Sequence, residues 1–174
     1  MNLEEYSRRA IQTALNTNKK DLDYPMLGLH GEAGELCEKF KKVLRDKGGI
    51  IDDSTRELIK KEQGDILWYV NRILWGFDIP LDQVWCDCNN LGHLEEFTVY
   101  QLARFLARRT SDLDISVDAE EEQGIIYWAA SIFSGSALLA KKMGYTLEDV
   151  LRTNVEKLED RKSRGVLAGS GDNR

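Results

Sequence analysis

The sequence predicts an all-α fold, and three observations support this. Only two prolines, Pro25 and Pro80, interrupt the 174 residues, so most of the chain can form long helices. Apolar residues recur at helical spacing within each long segment, and capping residues and glycines separate the segments. The composition, 42% hydrophobic and 31% charged, is typical of a globular protein, and the length suits one domain with a proper core.

The first part of the chain contains three predicted helices. Residues 3 to about 15 place their apolar side chains on one face, and the polar residues 16–23 end that helix. Pro25 suits the first position of a helix that runs to about residue 46 and stops at two glycines. A third helix, residues 55 to about 75, follows capping residues 52–54.

The second predicted helix carries an apolar stripe and three glycines. Gly28, Gly31 and Gly34 each cost about 1 kcal/mol relative to alanine in a helix interior. They indicate close helix packing, room beside a binding site, or both. The apolar stripe comprises Leu29, Leu36, Phe40, Val43 and Leu44.

The rest of the chain is also predicted to be helical. A short helix covers residues 81–91, and two further helices cover residues 100–109 and 119–143. A last helix begins after a cap at residue 146 and runs to about residue 162. Residues 163–174 are rich in glycine and charge and are predicted to be a tail.

We interpret the middle of the chain as a degenerate internal repeat. Glu-Gln-Gly-Asp-Ile-Leu-Trp at residues 62–68 is echoed by Glu-Gln-Gly-Ile-Ile-Tyr-Trp at residues 122–128. The second copy has Gln101, Arg104 and Ile125 where the first has acidic residues, so it should hold no metal. The single domain would then be a pseudo-dimer, with a metal-binding half (1–90) and a second half (91–162). Chance similarity between two helices is the alternative.

Composition and charge argue against several classes of function. The net charge of −6, without a basic block, argues against nucleic acid as a partner. We expect a cytoplasmic protein outside the membrane, because neither a signal peptide nor a run of 18 apolar residues is evident. The three cysteines are expected to be reduced. A zinc site from Cys86, Cys88 and His93 is disfavoured, since a fourth ligand is not evident.

Two acidic segments form the main candidate site. Glu32, Glu35 and Glu38 lie three residues apart and form one ridge on the second helix, and Glu62 and Asp65 do the same on the third. The neighbouring residues are apolar, so these ridges should face the core. Carboxylates gathered there repel one another unless a cation neutralises them. Oxygen donors of this kind favour Mg²⁺, or Mn²⁺, rather than zinc.

These segments resemble the MazG-like, all-α nucleoside triphosphate pyrophosphohydrolases. The pattern is Glu-x-x-Glu, a gap of 26 residues, and Glu-x-x-Asp. Either motif alone is weak, whereas both in order with the flanking glycines are fairly specific, and the resemblance covers residues 3–80 and 144–174. The matching segments include Leu-Gly-Leu-His-Gly-Glu-Ala-Gly-Glu at 27–35, Lys-Lys-Val-Leu-Arg-Asp at 41–46, Gly-Asp-Ile-Leu-Trp-Tyr at 64–69, and Gly-Ser-Gly-Asp-Asn-Arg at 169–174.

The resemblance implies a four-helix-bundle fold and a Mg²⁺-dependent reaction. Members of the family cleave a nucleoside triphosphate between its α- and β-phosphates, which gives a monophosphate and pyrophosphate. By position, Glu32, Glu35, Glu62 and Asp65 would be the metal ligands. Glu38 would either complete the coordination or accept a proton from the attacking water, and together these five form the predicted catalytic set.

Basic and aromatic residues are the candidates for substrate binding. Lys42 and Arg45 follow the acidic ridge, and Tyr69 is the best candidate for contact with the base or sugar. Trp68 is more typical of core, and His30 is more typical of a structural role. On the last helix, Asn154, Lys157 and Arg161 share one face and are predicted to contact phosphate. A lid formed by Asp172 and Arg174 is a further hypothesis.

Two other function classes compete with the pyrophosphohydrolase. One is a catalytically silent nucleotide-binding or oligomerisation module. The other, a di-iron carboxylate bundle, is disfavoured because neither His30 nor His93 follows a glutamate by three residues. Single-copy members of the resembled family form dimers, so we expect a homo-oligomer, either a dimer or a dimer of dimers. The far wall of the site could come from this chain or from its neighbour.

Overall fold

A computed structural model describes residues 1–86 and 92–167 of the protein, except for the side chains of residues 85, 86 and 93. The described residues form seven α-helices and one 3₁₀ turn, Gly92–Glu96, with no strand among them. The prediction of an all-α fold is therefore confirmed. The helices are α1 (Leu3–Ile11), α2 (Asp23–Asp46), α3 (Asp53–Gly76), α4 (Leu81–Cys86), α5 (Val99–Asp118), α6 (Glu122–Met143) and α7 (Leu147–Ser163).

Two helical hairpins, α2–α3 and α5–α6, pack against each other. Helices α2 and α5 run antiparallel, since His30 Nε2 lies 2.9 Å from Asp114 Oδ2 while Cys37 Sγ lies 3.8 Å from the Ala103 carbonyl oxygen. His30 therefore links two helices through a carboxylate, as its predicted structural role requires.

The terminal helices α1 and α7 run parallel to each other and cover α3. The amino group of Met1 donates to Glu148 at 2.7 Å, and Arg9 makes a two-pronged ion pair with Glu159 at 2.7 and 2.9 Å. Gly64 of α3 allows α7 to approach, because a methyl group there would lie 2.7 Å from Asn154 Cβ. Helix α7 thus lies beside the acidic residues of α3.

The predicted helix boundaries need two corrections. Helix α1 ends at Ile11 rather than near residue 15, because Trp68 Nε1 donates to the Ala10 carbonyl and to Thr13 Oγ1, which fixes the chain there. Helix α5 continues nine residues beyond the predicted end at 109, since Leu113 and Val117 add another buried turn. The caps at Asp52 and Thr146 are as predicted.

The similar segments 62–68 and 122–128 lie at different places in the two hairpins. Glu62 lies in the middle of α3, whereas Glu122 is the first residue of α6. Gly64 packs against α7, while Gly124 packs against Ser116 within its own hairpin. Gln101 caps the start of α5 by accepting from the Thr98 N–H at 2.8 Å. The two Glu-Gln-Gly segments therefore occupy different positions in their helices.

A continuous apolar core joins the helices. Leu29, Leu36, Phe40 and Val43 of the predicted stripe are buried, but Leu44 is exposed and does not belong to the core. One described helix, α6, is long and apolar enough by length and composition to cross a membrane. More than half of its apolar window is buried within the bundle, as expected of a core helix.

The segment between α1 and α2, residues 12–22, is held by the end of α3. Arg72, fully buried, donates to the Asn18 carbonyl at 2.7 Å and stacks 4.7 Å from the centre of the Trp75 ring. Gly76 leaves room for the Leu22 side chain, since a methyl group there would lie 2.8 Å from it. These contacts hold the segment against the C-terminal end of α3.

The close approach of α3 and α7 gives a stability prediction. Gly64→Ala should lower the free energy of unfolding by about 1–3 kcal/mol, because the added methyl group overlaps Asn154. Gly31→Ala is the matched control. It meets open space and should raise stability by up to about 1 kcal/mol through helix propensity. Urea unfolding measures the free energy of unfolding of both variants. Equal changes for Gly64→Ala and Gly31→Ala would contradict the close packing of α3 and α7.

Candidate metal and nucleotide site

Three carboxylates of the predicted set meet between α2 and α3. Oxygen atoms of Glu32, Glu35 and Glu62 all lie within 4.8 Å of one another. Glu32 and Glu35 are one turn apart on α2, and the antiparallel α3 places Glu62 opposite them. Glu62 is buried, Glu32 is half-buried and Glu35 is exposed, so the group opens towards solvent on one side.

A lysine that the sequence analysis did not consider lies within this group. Lys39 Nζ is 3.0 Å from Glu62 Oε1 and 3.9 Å from Glu35 Oε2. Its side chain is only 14% exposed. The spacing of four residues from Glu35 is a signal that could have identified it, since such pairs adjoin on a helix.

Asp65, the fourth predicted ligand, does not join the three glutamates. Its carboxylate accepts from Asn154 Nδ2 at 2.7 Å and from Lys157 Nζ at 2.6 and 2.7 Å. Asn154 and Lys157, which were predicted to contact phosphate, bind this carboxylate in the structure. The Asn154 side chain is buried, and its Oδ1 has no hydrogen-bond partner among the described residues. The far wall of the site therefore includes α7 of the same chain.

The clustered acids shift the protonation of the site. Burial raises the pKa of Glu32 from its usual 4.5 to about 8, and the negative charges of Asp65, Glu35 and Glu62 add to the effect. Burial also raises the pKa of Glu62, although the Lys39 ammonium opposes this. Burial and the neighbouring negative charges therefore favour the protonated form of Glu32.

A cavity of about 380 Å³ opens beside Glu32 and Asp65. Tyr24, Trp68 and Tyr69 contribute aromatic surface, and Arg161 contributes a guanidinium. Tyr69 packs directly over Gly28, which has no side chain to block it, and burial raises the pKa of its hydroxyl. Trp68 is buried, as predicted, and it also lines the cavity. The remaining lining residues are Thr13, Leu15, Leu158 and Leu167.

Three predicted residues lie on the outer surface of α2. Glu38 pairs with Lys41 and with Lys42 (3.4 Å), and these ammonium groups hold its pKa below the usual range. Arg45 pairs with the adjacent Asp46 at 2.6 Å. At 1.5 Å per residue, Lys42 is about 15 Å along the helix from Glu32. The structure therefore does not bring Glu38, Lys42 or Arg45 to the cavity.

Some candidates fall on parts of the chain that the structure does not describe. Asp172 and Arg174, of the hypothetical lid, lie outside the described residues. The same holds for Cys88 and for the side chains of Cys86 and His93 in the disfavoured zinc set. Cys37 is a free cysteine on α2.

Comparison with known proteins finds a similarity in sequence to a phage protein. No protein-family model matches the chain, and no solved structure matches it. The chain is similar to the Gene 37 protein of Mycobacterium phage L5, with 28% identity over 180 aligned residues that cover all of both proteins. That name describes no activity. The similarity extends over the whole chain but gives no information about its function.

The raised pKa of Glu32 predicts how stability depends on pH. Without metal, the folded protein holds a proton on Glu32 that the unfolded chain releases above about pH 4.5. The associated stability is thus complete below 4.5 and is lost as the pH rises towards 8. Glu32→Gln, which cannot ionise, should therefore raise Tm at pH 8 and change it little at pH 5. Each kcal/mol gained corresponds to about 2–4 °C.

Thermal unfolding in chelator from pH 5 to 8.5 measures this effect. Glu156→Gln, on the exposed side of α7, is the control and should give the same difference from the unsubstituted protein at every pH. A Tm difference for Glu32→Gln that stays constant across the range would contradict the proposed burial of this carboxyl.

Proposed function

We propose that the protein is a Mg²⁺-dependent nucleoside triphosphate pyrophosphohydrolase that gives a nucleoside monophosphate and pyrophosphate. The observation that supports it is that Glu32, one of the three clustered glutamates, lines a cavity with aromatic and guanidinium surface together with Asp65. Carboxylates supply ligands for a hard cation, the guanidinium suits phosphate, and aromatic rings suit a base. The motif resemblance described above points to the same reaction.

The chemistry of the donors fits a divalent cation. All candidate ligands are carboxylate oxygens, and among the four acids Glu62 pairs with the ammonium group of Lys39 and Asp65 with that of Lys157. The ammonium group of Lys39 already lies among the three glutamates, so this position suits a positive charge. Glu32, Glu35 and Glu62 would hold the ion, and Asp65 would join them once it leaves Lys157. Mn²⁺ suits the same donors.

The protein's own residues would bind and orient the substrate. A bound Mg²⁺ would lower the pKa of a water molecule and polarise a phosphate oxygen. Arg161 would contact the phosphates from α7, and Lys157 would do so when released from Asp65. Tyr24 and Tyr69 would flank the base or sugar. The buried Trp68 and the partly buried Leu158 would keep water away from this end of the cavity.

Two further proposals concern cellular context and assembly. We propose that the enzyme acts on nucleotide pools in the cytoplasm, apart from nucleic acid and membrane. We also propose a homo-oligomer, a dimer or a dimer of dimers. Leu27 on α2 and Ile115 on α5, which are 73% and 68% exposed near the His30–Asp114 contact, provide apolar surface for self-association.

One observation favours a second function, a nucleotide-binding module without turnover. Lys39 and Lys157 already neutralise two of the acids, so the site is stable without a metal. In that case the cavity would bind nucleotide through Arg161 and the aromatic residues only. Calorimetry that finds tight nucleotide binding without product would support it.

Turnover is the direct test of the proposed reaction. Each NTP and dNTP is incubated with the protein and Mg²⁺, and pyrophosphate and monophosphate are measured. Glu62→Gln and Glu35→Gln should lower kcat/KM by about 100-fold or more, because each removes a ligand charge. Glu156→Gln should leave it unchanged. If no nucleotide yields pyrophosphate, or if Glu62→Gln retains full activity, the proposal is wrong.

The position of Arg161 gives a prediction that separates the cavity from the outer surface of α2. Arg161→Ala should raise KM by about 10–100-fold, since a charged hydrogen bond to phosphate contributes about 1.5–3 kcal/mol. Arg45→Ala and Lys42→Ala remove equal charge outside the cavity and should change KM less than about twofold. Steady-state kinetics measures these KM values. A larger rise in KM for Arg45→Ala or Lys42→Ala than for Arg161→Ala would place the phosphates on α2.

A further inference from the structure

Lys39 is an enclosed cation between α2 and α3. Its ammonium group lies 3.0 Å from a carboxylate oxygen of Glu62 and 3.9 Å from one of Glu35. The Lys39 side chain is 14% exposed and that of Glu62 is 9% exposed, so solvent screens this pair only weakly. Lysine is rarely enclosed to this extent unless it is paired.

The pairing compensates charge that the fold itself creates. Helices α2 and α3 bring Glu32, Glu35 and Glu62 within 4.8 Å, and Lys39 is ion-paired with Glu62 and Glu35, while the charge of Lys157 acts on Glu32. Without Lys39, the buried carboxylate of Glu62 would face two further acids. Lys39 therefore occupies the electrostatic position that a metal ion would take.

We propose that Lys39 is a built-in counter-ion that competes with the divalent cation for Glu35 and Glu62, and so sets the metal affinity of the site. The inference rests on the proposed function, because it concerns the same carboxylates. Mg²⁺ needs ligand oxygens at about 2.0–2.1 Å, and these would be oxygens that Lys39 now engages. A divalent ion and an ammonium group on shared oxygens also repel each other.

Metal binding must therefore move the Lys39 ammonium away. The lysine side chain has a flexible four-carbon stem that can carry its charge into solvent, so the fold need not change. The cost of this movement makes metal binding weaker than the carboxylates alone would allow. In return, the metal-free protein is more stable, since Glu62 is never buried without a partner.

The test compares Lys39→Met with a matched control. Lys60→Met removes another lysine that is 14% exposed and ion-paired, but its partner is Glu57 on the same helix, away from the three glutamates. Lys39→Arg keeps the charge in place. The probe is Mn²⁺, titrated into metal-free protein by calorimetry and by the paramagnetic resonance of the free ion, together with Tm in chelator and in Mg²⁺.

The expected results separate competition from a general effect on folding. Lys39→Met should bind Mn²⁺ about tenfold or more tightly than the unsubstituted protein, because a competing charge is gone. In chelator, Lys39→Met should have a lower Tm than the unsubstituted protein. Addition of Mg²⁺ should raise the Tm of Lys39→Met by more than it raises that of the unsubstituted protein. Lys39→Arg should stay near the original affinity. Lys60→Met should lose some stability and keep the original Kd.

Each contrary result has a distinct meaning. If the unsubstituted protein binds Mn²⁺ and Lys39→Met binds it equally or more weakly, the competition is overturned while the metal site stands. If none of the proteins binds Mn²⁺, the metal site of the proposed function fails and the inference fails with it. Binding by Lys39→Met alone would support the inference, with Lys39 then excluding the ion completely.

Discussion

The repulsion among carboxylates enclosed between α2 and α3 is the constraint on which the site depends. Glu32, Glu35 and Glu62 lie within 4.8 Å of one another, and Asp65 follows one turn after Glu62. Such a group is unstable in a folded protein unless positive charge or protons compensate it. The chain uses both means, since Lys39 pairs with Glu62 and the pKa of Glu32 rises to about 8.

The docking of α7 follows from the same constraint. Asn154 and Lys157 satisfy the carboxylate of Asp65, and Gly64 lets the two helices approach closely enough for these contacts. Helix α7 in turn carries Arg161 to the cavity. The contact that neutralises an acid therefore also builds the wall of the candidate binding site, and it does so within one chain.

Several features of the site were predictable from the sequence, for a local reason. The spacing of three residues put Glu32 beside Glu35 and Glu62 beside Asp65 on their helices. The apolar neighbours indicate burial, which holds for Glu62 and in part for Glu32 and Asp65, whereas Glu35 is exposed. Tyr69 was identified from its place one turn after Asp65. Asn154, Lys157 and Arg161 were correctly grouped on one face of α7, although two of them bind Asp65 in this structure. Glu38, Lys42 and Arg45 follow the same helical pattern but lie on the outer surface.

The sequence by itself determined the helices, their main caps and the acidic ridges, because these depend on residues within about one turn of each other. The tertiary structure alone decided which ridge meets which ammonium group, that α7 covers α3, and that the two Glu-Gln-Gly segments occupy different positions. These outcomes depend on helix packing between residues as far apart as Asp65 and Lys157. Close packing and charge compensation select one arrangement there, and no local pattern specifies it.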